Sequence, residues 1–271
     1  MHNLEAPIGI FDSGIGGLTV AKAVSDLLPA ENLLYFGDTA HMPYGEKSSS
    51  AIQAYSIKIC NLFLNRKVKA ILIACNSAST AAFDLVKEYV GSKAQVFNVI
   101  DPMVAYVAQN YPQQKVGLIG TKQTVGSNVY QKKLDATNTG VQLQALATPL
   151  LAPMIEEGFF QNNISASVVA NYLESESLAG ITSLILGCTH YPLIKTEIEK
   201  FYHNSVTVLD SSQTVALAMK EQLEALNLLQ ADHQKQGAYH FYVSDYTRSF
   251  EASTRIFFGK EVVLEHYPLW D

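Results

Sequence analysis

Along this 271-residue chain, short apolar runs rich in β-branched and aromatic residues alternate with longer stretches of helical periodicity. Strands of a parallel sheet are covered on both faces, so they read as continuous apolar runs separated by helices. The pattern predicts strands at Ile8–Phe11, Leu33–Phe36, Ala70–Ala74 and Val96–Val99. Between and after them it predicts helices over Leu18–Leu28, Ser48–Arg66 and Ser77–Tyr89. Asp101 and Pro102 read as the cap and first-turn proline of a further helix. Predicted strands follow at Val116–Ile119, Val141–Leu146, Leu184–Leu186 and Val206–Leu209. The chain closes with a helix reaching about Leu229, a strand at Tyr239–Val243, a helix near Phe250–Phe258 and a strand at Val262–His266.

The pattern repeats. Ile8-Gly-Ile-Phe-Asp-Ser13 matches Val116-Gly-Leu-Ile-Gly-Thr121 at an offset of 108, and Cys75 matches Cys188 at an offset of 113. Two offsets this close predict a duplicated α/β unit with a short insertion. The expected architecture is two similar domains packed face to face, their strand ends turned toward a shared cleft, where open α/β sheets bind ligands.

Composition narrows the function. With 48% hydrophobic and 16% charged residues the chain is an ordinary globular one, and no apolar run approaches the ~18 residues of a membrane span. The N-terminus lacks a basic-then-apolar signal pattern, so the expected location is cytoplasmic. Three cysteines do not make a disulfide framework. A net charge of −6 argues against a large nucleic-acid surface. Arginine occurs three times, at 66, 248 and 255, so a small anion would have to be held by hydroxyls, amides and helix-start N–H groups.

The candidate chemistry centres on Cys75 and Cys188. Each follows an apolar strand and precedes polar residues, where a helix start lowers a thiol pKa below about 8.5. Free cysteine is more often buried packing, and Cys60, inside an apolar helix, is assigned to that role. No Cys-x-x-Cys redox pair is present, and Cys75, Cys188 and His190 fall short of a four-ligand zinc set. A cysteine hydrolase would leave one thiol idle. Two-base proton transfer uses both, one removing a proton from a carbon and the other returning one to its opposite face.

Asp12 is placed to orient or help deprotonate Cys75, or simply to cap the glycine-rich turn after the first strand. His190, two residues after Cys188, suits a thiolate–imidazolium pair, or a solvent-facing helix start. Spacing does not separate Glu156 from Glu157. The turn Asp12–Gly17 departs from the dinucleotide fingerprint because Thr19 holds the third glycine slot, although Asp38 could take a ribose hydroxyl. Ser13, Asn76, Ser77, Thr121, Thr124 and Thr189 form an expected polar cradle at the same strand edge, each of them alternatively a helix cap.

Taken together, Phe11-Asp-Ser-Gly-Ile-Gly-Gly-Leu-Thr19, Gly37-Asp-Thr39 with Pro43-Tyr-Gly45, Ala74-Cys-Asn76, Gly120-Thr121 with Thr124, Ser127 and Tyr130, Glu156 with Gly158, and Gly187-Cys-Thr-His-Tyr-Pro192 are ordered motifs over nearly the whole chain. On these the chain resembles the glutamate racemases of the aspartate/glutamate racemase family. The resemblance implies two Rossmann-like α/β domains, residues 1–97 with 207–271 and residues 98–206, commonly as a homodimer. It implies cofactor-independent interconversion of L- and D-glutamate for peptidoglycan synthesis, with no cofactor and no metal. Cys75 and Cys188 would be the proton carriers for the D- and L-enantiomers, assisted by Asp12, Glu156 and His190. Substrate contacts would fall on Asp12, Ser13, Tyr44, Gly45, Asn76, Ser77, Thr121, Thr124, Thr189 and His190. Ser77 departs from the usual threonine and keeps its hydroxyl. The short segment before the first strand points away from dependence on a cell-wall precursor as activator. A racemase for aspartate or another amino acid, and a two-domain amino-acid-binding protein with inert thiols, are the competing readings.

Overall fold

The computed structural model describes residues 3–230 and 236–271. Its first half alternates strand and helix: β1 (Ile8–Asp12), α1 (Leu18–Leu27), β2 (Leu33–Gly37), α2 (Ser49–Asn65), β3 (Ala70–Ile73), α3 (Asn76–Val90), β4 (Gln95–Asn98) and α4 (Ile100–Asn110). A second run follows: β5 (Lys115–Gly120), α5 (Lys122–Gly126), α6 (Val129–Ala136), β6 (Gln142–Ala147), α7 (Leu151–Glu156), α8 (Asn163–Leu173), β7 (Ser183–Gly187), α9 (Lys195–Phe201) and β8 (Thr207–Leu209). The chain ends with α10 (Ser211–Ala225), β9 (Tyr239–Val243), α11 (Arg248–Phe258) and β10 (Leu264–His266).

Two parallel sheets result, ordered β10-β9-β2-β1-β3-β4 and β6-β5-β7-β8. The order β2-β1-β3-β4 in the first is repeated as β6-β5-β7-β8 in the second, so the duplication seen in the sequence is also a duplication of topology. Every residue of β1, β2, β3 and β7 is buried, which is why those segments carry almost unbroken apolar runs. In each sheet the strand order reverses beside the central strand, between β1 and β3 and between β5 and β7. Crevices open outside the carboxyl ends at such switch points.

The strand β8, directly after the expected boundary at 206, pairs with β7 in the second sheet, whereas β9 and β10 return to the first. Between the sheets α10 packs against α1 and α4. One apolar cluster runs continuously from β1 through α10 to β7, and a second, with Phe11, Phe36 and Phe63, fills the other face of the first sheet under α2 and α3. Among the described residues, no helix is long and apolar enough to cross a membrane.

Two local expectations are corrected. Asp101 does not cap α4: Val99 holds the cap position, and Asn98, one residue earlier, accepts the N–H groups of Ile100 and Asp101 on its Oδ1, both at 2.8 Å. Asp101 instead accepts the Asn98 amide and faces Lys133 across 2.7 Å. The second half also holds helices α5 to α9, for which no apolar periodicity was assigned; α5 and α7 span only five and six residues, too few turns for a periodic stripe. The start of α8 is held by a reciprocal capping box between Asn162 and Ser165.

Candidate active site

At the first switch point β1 delivers Asp12 and Ser13, and β3 delivers Cys75. At the second, β5 delivers Thr121 and β7 delivers Cys188. Both cysteines line one cleft together with Ser13, Tyr44, Gly45, Asn76, Ser77, Thr121, Glu156, Thr189 and His190. The free space among these side chains is about 30 Å³, roughly the share of one water molecule. A larger groove of about 710 Å³ between α8 and α9 holds no thiol or imidazole.

Cys75 caps α3, its sulfur accepting the Ala78 N–H at 3.5 Å and lying 3.9 Å from the Ser13 hydroxyl. The helix start does not lower this thiol as expected. Burial pushes it up to about 12, helped by the Asp12 and Cys188 charges and opposed only weakly by the Ala78 N–H and the Ser13 hydroxyl. A helix N-terminus favours a thiolate, but complete desolvation beside a carboxylate is the larger effect here. Cys60 lies fully buried in α2, its thiol also pushed up to about 12 by burial.

Cys188 is set differently. No α-helix starts behind it; a 3-10 turn, Tyr191–Ile194, intervenes before α9. The neighbouring charge is His190, buried at 4% exposure, whose Nδ1 lies 3.5 Å from the Cys188 sulfur. On its other side His190 Nε2 lies 2.8 Å from Glu156 Oε1, an ion-pair distance out of line for a straight hydrogen bond. Burial works against the imidazolium, but the Cys188 and Glu156 interactions outweigh it, and the ring holds its proton well above the ordinary imidazole range. The solvent-facing alternative for His190 is thereby excluded, and Glu156 is separated from Glu157 by its contact with the ring.

Asp12 does not reach Cys75 directly. Fully buried, it accepts the Gly14 N–H at 3.0 Å and the Thr189 hydroxyl at 3.3 Å, so it joins the glycine-rich turn to the second half. Burial raises its pKa, and the His190 charge and these hydrogen bonds partly offset the rise. Opposite the thiols, Ser77 meets Thr121 at 2.8 Å and Thr124 at 3.4 Å, with Thr121 and Thr124 themselves 3.1 Å apart. Thr124, like Asp12, stands one layer behind the cleft wall. The Asn76 Oδ1 accepts the Tyr130 hydroxyl at 2.8 Å, and among the described residues its Nδ2 has no partner.

The nucleotide alternative fails at Asp38. This residue is fully buried, and its carboxylate accepts side-chain hydrogen bonds from Tyr44, Ser244 and Trp270, leaving nothing to offer a ribose.

A sequence model described as Asp/Glu/Hydantoin racemase matches residues 18–219. The chain belongs to that racemase family. It is 39% identical over 263 residues to a glutamate racemase of Chlorobaculum parvum, covering 96% of each chain. Among solved structures, a glutamate racemase of Francisella tularensis in complex with D-glutamate superimposes with a TM-score of 0.92 at 36% identity, over 99% of both chains. A glutamate racemase of Thermus thermophilus in complex with β-chloro-D-alanine gives 0.87 at 38% identity over 98% of both.

Within this racemase fold, residues that the sequence did not single out also shape the cleft. Phe257 of α11 meets the His190 ring edge-on at 5.4 Å and 85°. Tyr130, present in the motif set but given no role, holds Asn76. The available signal for Tyr130 was its place in the motif set, three residues after Ser127; Phe257 had none, because its helix is distant in sequence and remote from every motif.

Proposed function

We propose that this chain interconverts L- and D-glutamate by moving the α-proton between Cys75 and Cys188, without a cofactor. The observation that carries the reading is the pair of thiols at matching strand ends of two like-ordered sheets, lining one cleft. In the L-to-D direction the Cys188 sulfur takes the Cα proton, and the C–H electrons pass into the substrate carboxylate as an enediolate. Cys75, a neutral thiol because of its burial, gives its proton to the opposite face of Cα, and the centre inverts. His190, as imidazolium, stabilises negative charge on the Cys188 sulfur, and Glu156 fixes the ring. Asp12 and Thr189 tie the turn bearing Ser13 to this side.

Arginine-free hydroxyls and amides, Ser13, Asn76, Ser77, Thr121 and Thr189, would hold the substrate carboxylates, and the unpartnered Asn76 amide is one ready donor. The cleft is narrow, and admission of glutamate is expected to widen it. The relatives at 36–39% identity are glutamate racemases, which favours glutamate over aspartate; a role in supplying D-glutamate for peptidoglycan, a cytoplasmic location and a homodimer complete the proposed reading. For the domain division the reading keeps residues 98–206 as the second unit, to which β8 adds its strand.

The test is incubation of purified protein with L-glutamate in deuterated water with no added cofactor. D-glutamate carrying deuterium at Cα is the expected product. The absence of both D-glutamate and Cα deuterium would refute the proposal, as would a Cys75→Ser or Cys188→Ser variant racemising at the wild-type rate.

A further inference from the structure

Trp270, after the last strand, reaches the cleft wall through one buried carboxylate. Asp38, at 0% exposure, receives four side chains: Tyr44 OH at 2.6 Å on Oδ2, Ser244 Oγ and Trp270 Nε1, each at 2.8 Å on Oδ1, and His41 Nδ1 at 3.1 Å from both oxygens. A carboxylate so far from water is stable only while its lone pairs are filled, and each donor lost must be replaced by movement of the others. Tyr44 is the donor that matters for the cleft. It is fully buried and lines the site. The next residue, Gly45, lies against Thr121 of the second half so closely that a β-carbon would sit 2.7 Å from the Thr121 Cβ. The Tyr44–Gly45 turn is therefore, with Ser77, a place where the first half touches the hydroxyl cluster of the second.

We propose that Trp270 is a positioning residue for this cleft wall, acting through Asp38 on Tyr44. The Trp270 ring is itself fixed. It stands edge-on to His41 at 4.4 Å and to Tyr55 at 5.4 Å, with Lys58 Nζ 4.8 Å from its centroid. His41 in turn stacks on Tyr55 at 4.1 Å. The indole N–H and the Tyr44 hydroxyl thus hold opposite oxygens of one carboxylate, and a shift of either is felt by the other. The tail becomes part of the substrate site without touching substrate.

Trp270 is the single tryptophan of the chain, so indole fluorescence reports on this one position. The kinetic arm rests on the glutamate racemase reading; the ligand-free fluorescence arm does not. Glutamate titrated into the native protein is expected to shift Trp270 emission with a half-saturation equal to KM. Trp270→Phe keeps an aromatic ring against His41 and Tyr55 and loses the N–H; it is expected to raise KM about fivefold, with kcat within about twofold. Racemisation with unchanged emission at saturating glutamate overturns the proposal, and so does a Trp270→Phe protein of lowered Tm but wild-type KM. If the wild-type protein does not racemise glutamate, the functional reading fails separately. The link is then decided by ligand-free Tyr44→Phe, whose Trp270 emission is expected to differ from wild type; identical emission overturns it.

Discussion

Gly16 lies so close beneath the His190 ring that a β-carbon there would sit 2.5 Å from its Cε1 and 2.7 Å from its Nδ1. The glycine-rich turn, which in sequence invited a nucleotide reading, is a seat for an imidazole from the other half of the molecule. With Phe257 packed against it and Glu156 at Nε2, the ring can make room only by giving up its present contacts. Gly16→Ala is expected to displace His190 from Cys188 and lower kcat by about 100-fold, with circular dichroism unchanged. Retention of kcat within twofold would show that the ring position is not critical.

The raised Cys75 thiol has a chemical signature. With a value of about 12 against an ordinary 9.0, its thiolate fraction at pH 8 is about 1000-fold below that of an unperturbed thiol. Iodoacetamide labelling of Cys75, followed by mass spectrometry, should therefore keep accelerating as pH rises past 9. A plateau near 9 would contradict the burial argument. The native state holds this proton more tightly than the unfolded chain does. The associated stability is full below pH 9 and declines as pH rises toward about 12, with Cys60 contributing in the same sense.

Tyr130 donates to Asn76 at 2.8 Å from a fully buried position. Tyr130→Phe leaves the ring in place and releases the Asn76 side chain to rotate. The expected result is a KM for glutamate raised about tenfold, with kcat little changed. An unaltered KM would remove Asn76 from the substrate cradle.

Lys69 and Glu31 form a buried ion pair at the amino ends of β3 and β2, at 1% and 2% exposure. Lys69 also donates to the Leu4 carbonyl at 2.6 Å, and Glu31 accepts the Gln230 N–H at 2.7 Å. Lys69→Met strands the Glu31 charge and should cost about 3–5 kcal/mol in chemical denaturation, with kcat preserved because the thiols lie at the opposite strand ends. Replacing Glu31 by Leu in the same protein should recover much of the loss. A single variant as stable as wild type would show the pair to be dispensable.

What the chain states by itself is periodic or local. Buried strands such as β1 and β3 need apolar side chains on both faces, so their runs, and the repeat that aligns Cys75 with Cys188, are visible in one dimension. The positions of Ser13, Asn76, Ser77, Thr121 and Thr189 followed from the same rule, since strand ends point into the crevice. Short elements such as α5 and α7 were not legible, because too few turns carry no stripe.

The tertiary structure decided everything that depends on two distant segments meeting. It set Asp12 on Thr189 and not on Cys75, and filled Asp38 with donors from residues 44, 244 and 270. It also gave the two thiols unlike surroundings: Cys75 beside a carboxylate, Cys188 beside an imidazolium. Sequence placed both sulfurs at strand ends and offered Asp12 and His190 as their helpers, but did not show how each neighbour acts once packed. Proton affinity depends on burial and on charges within a few ångströms, and those belong to the packed molecule.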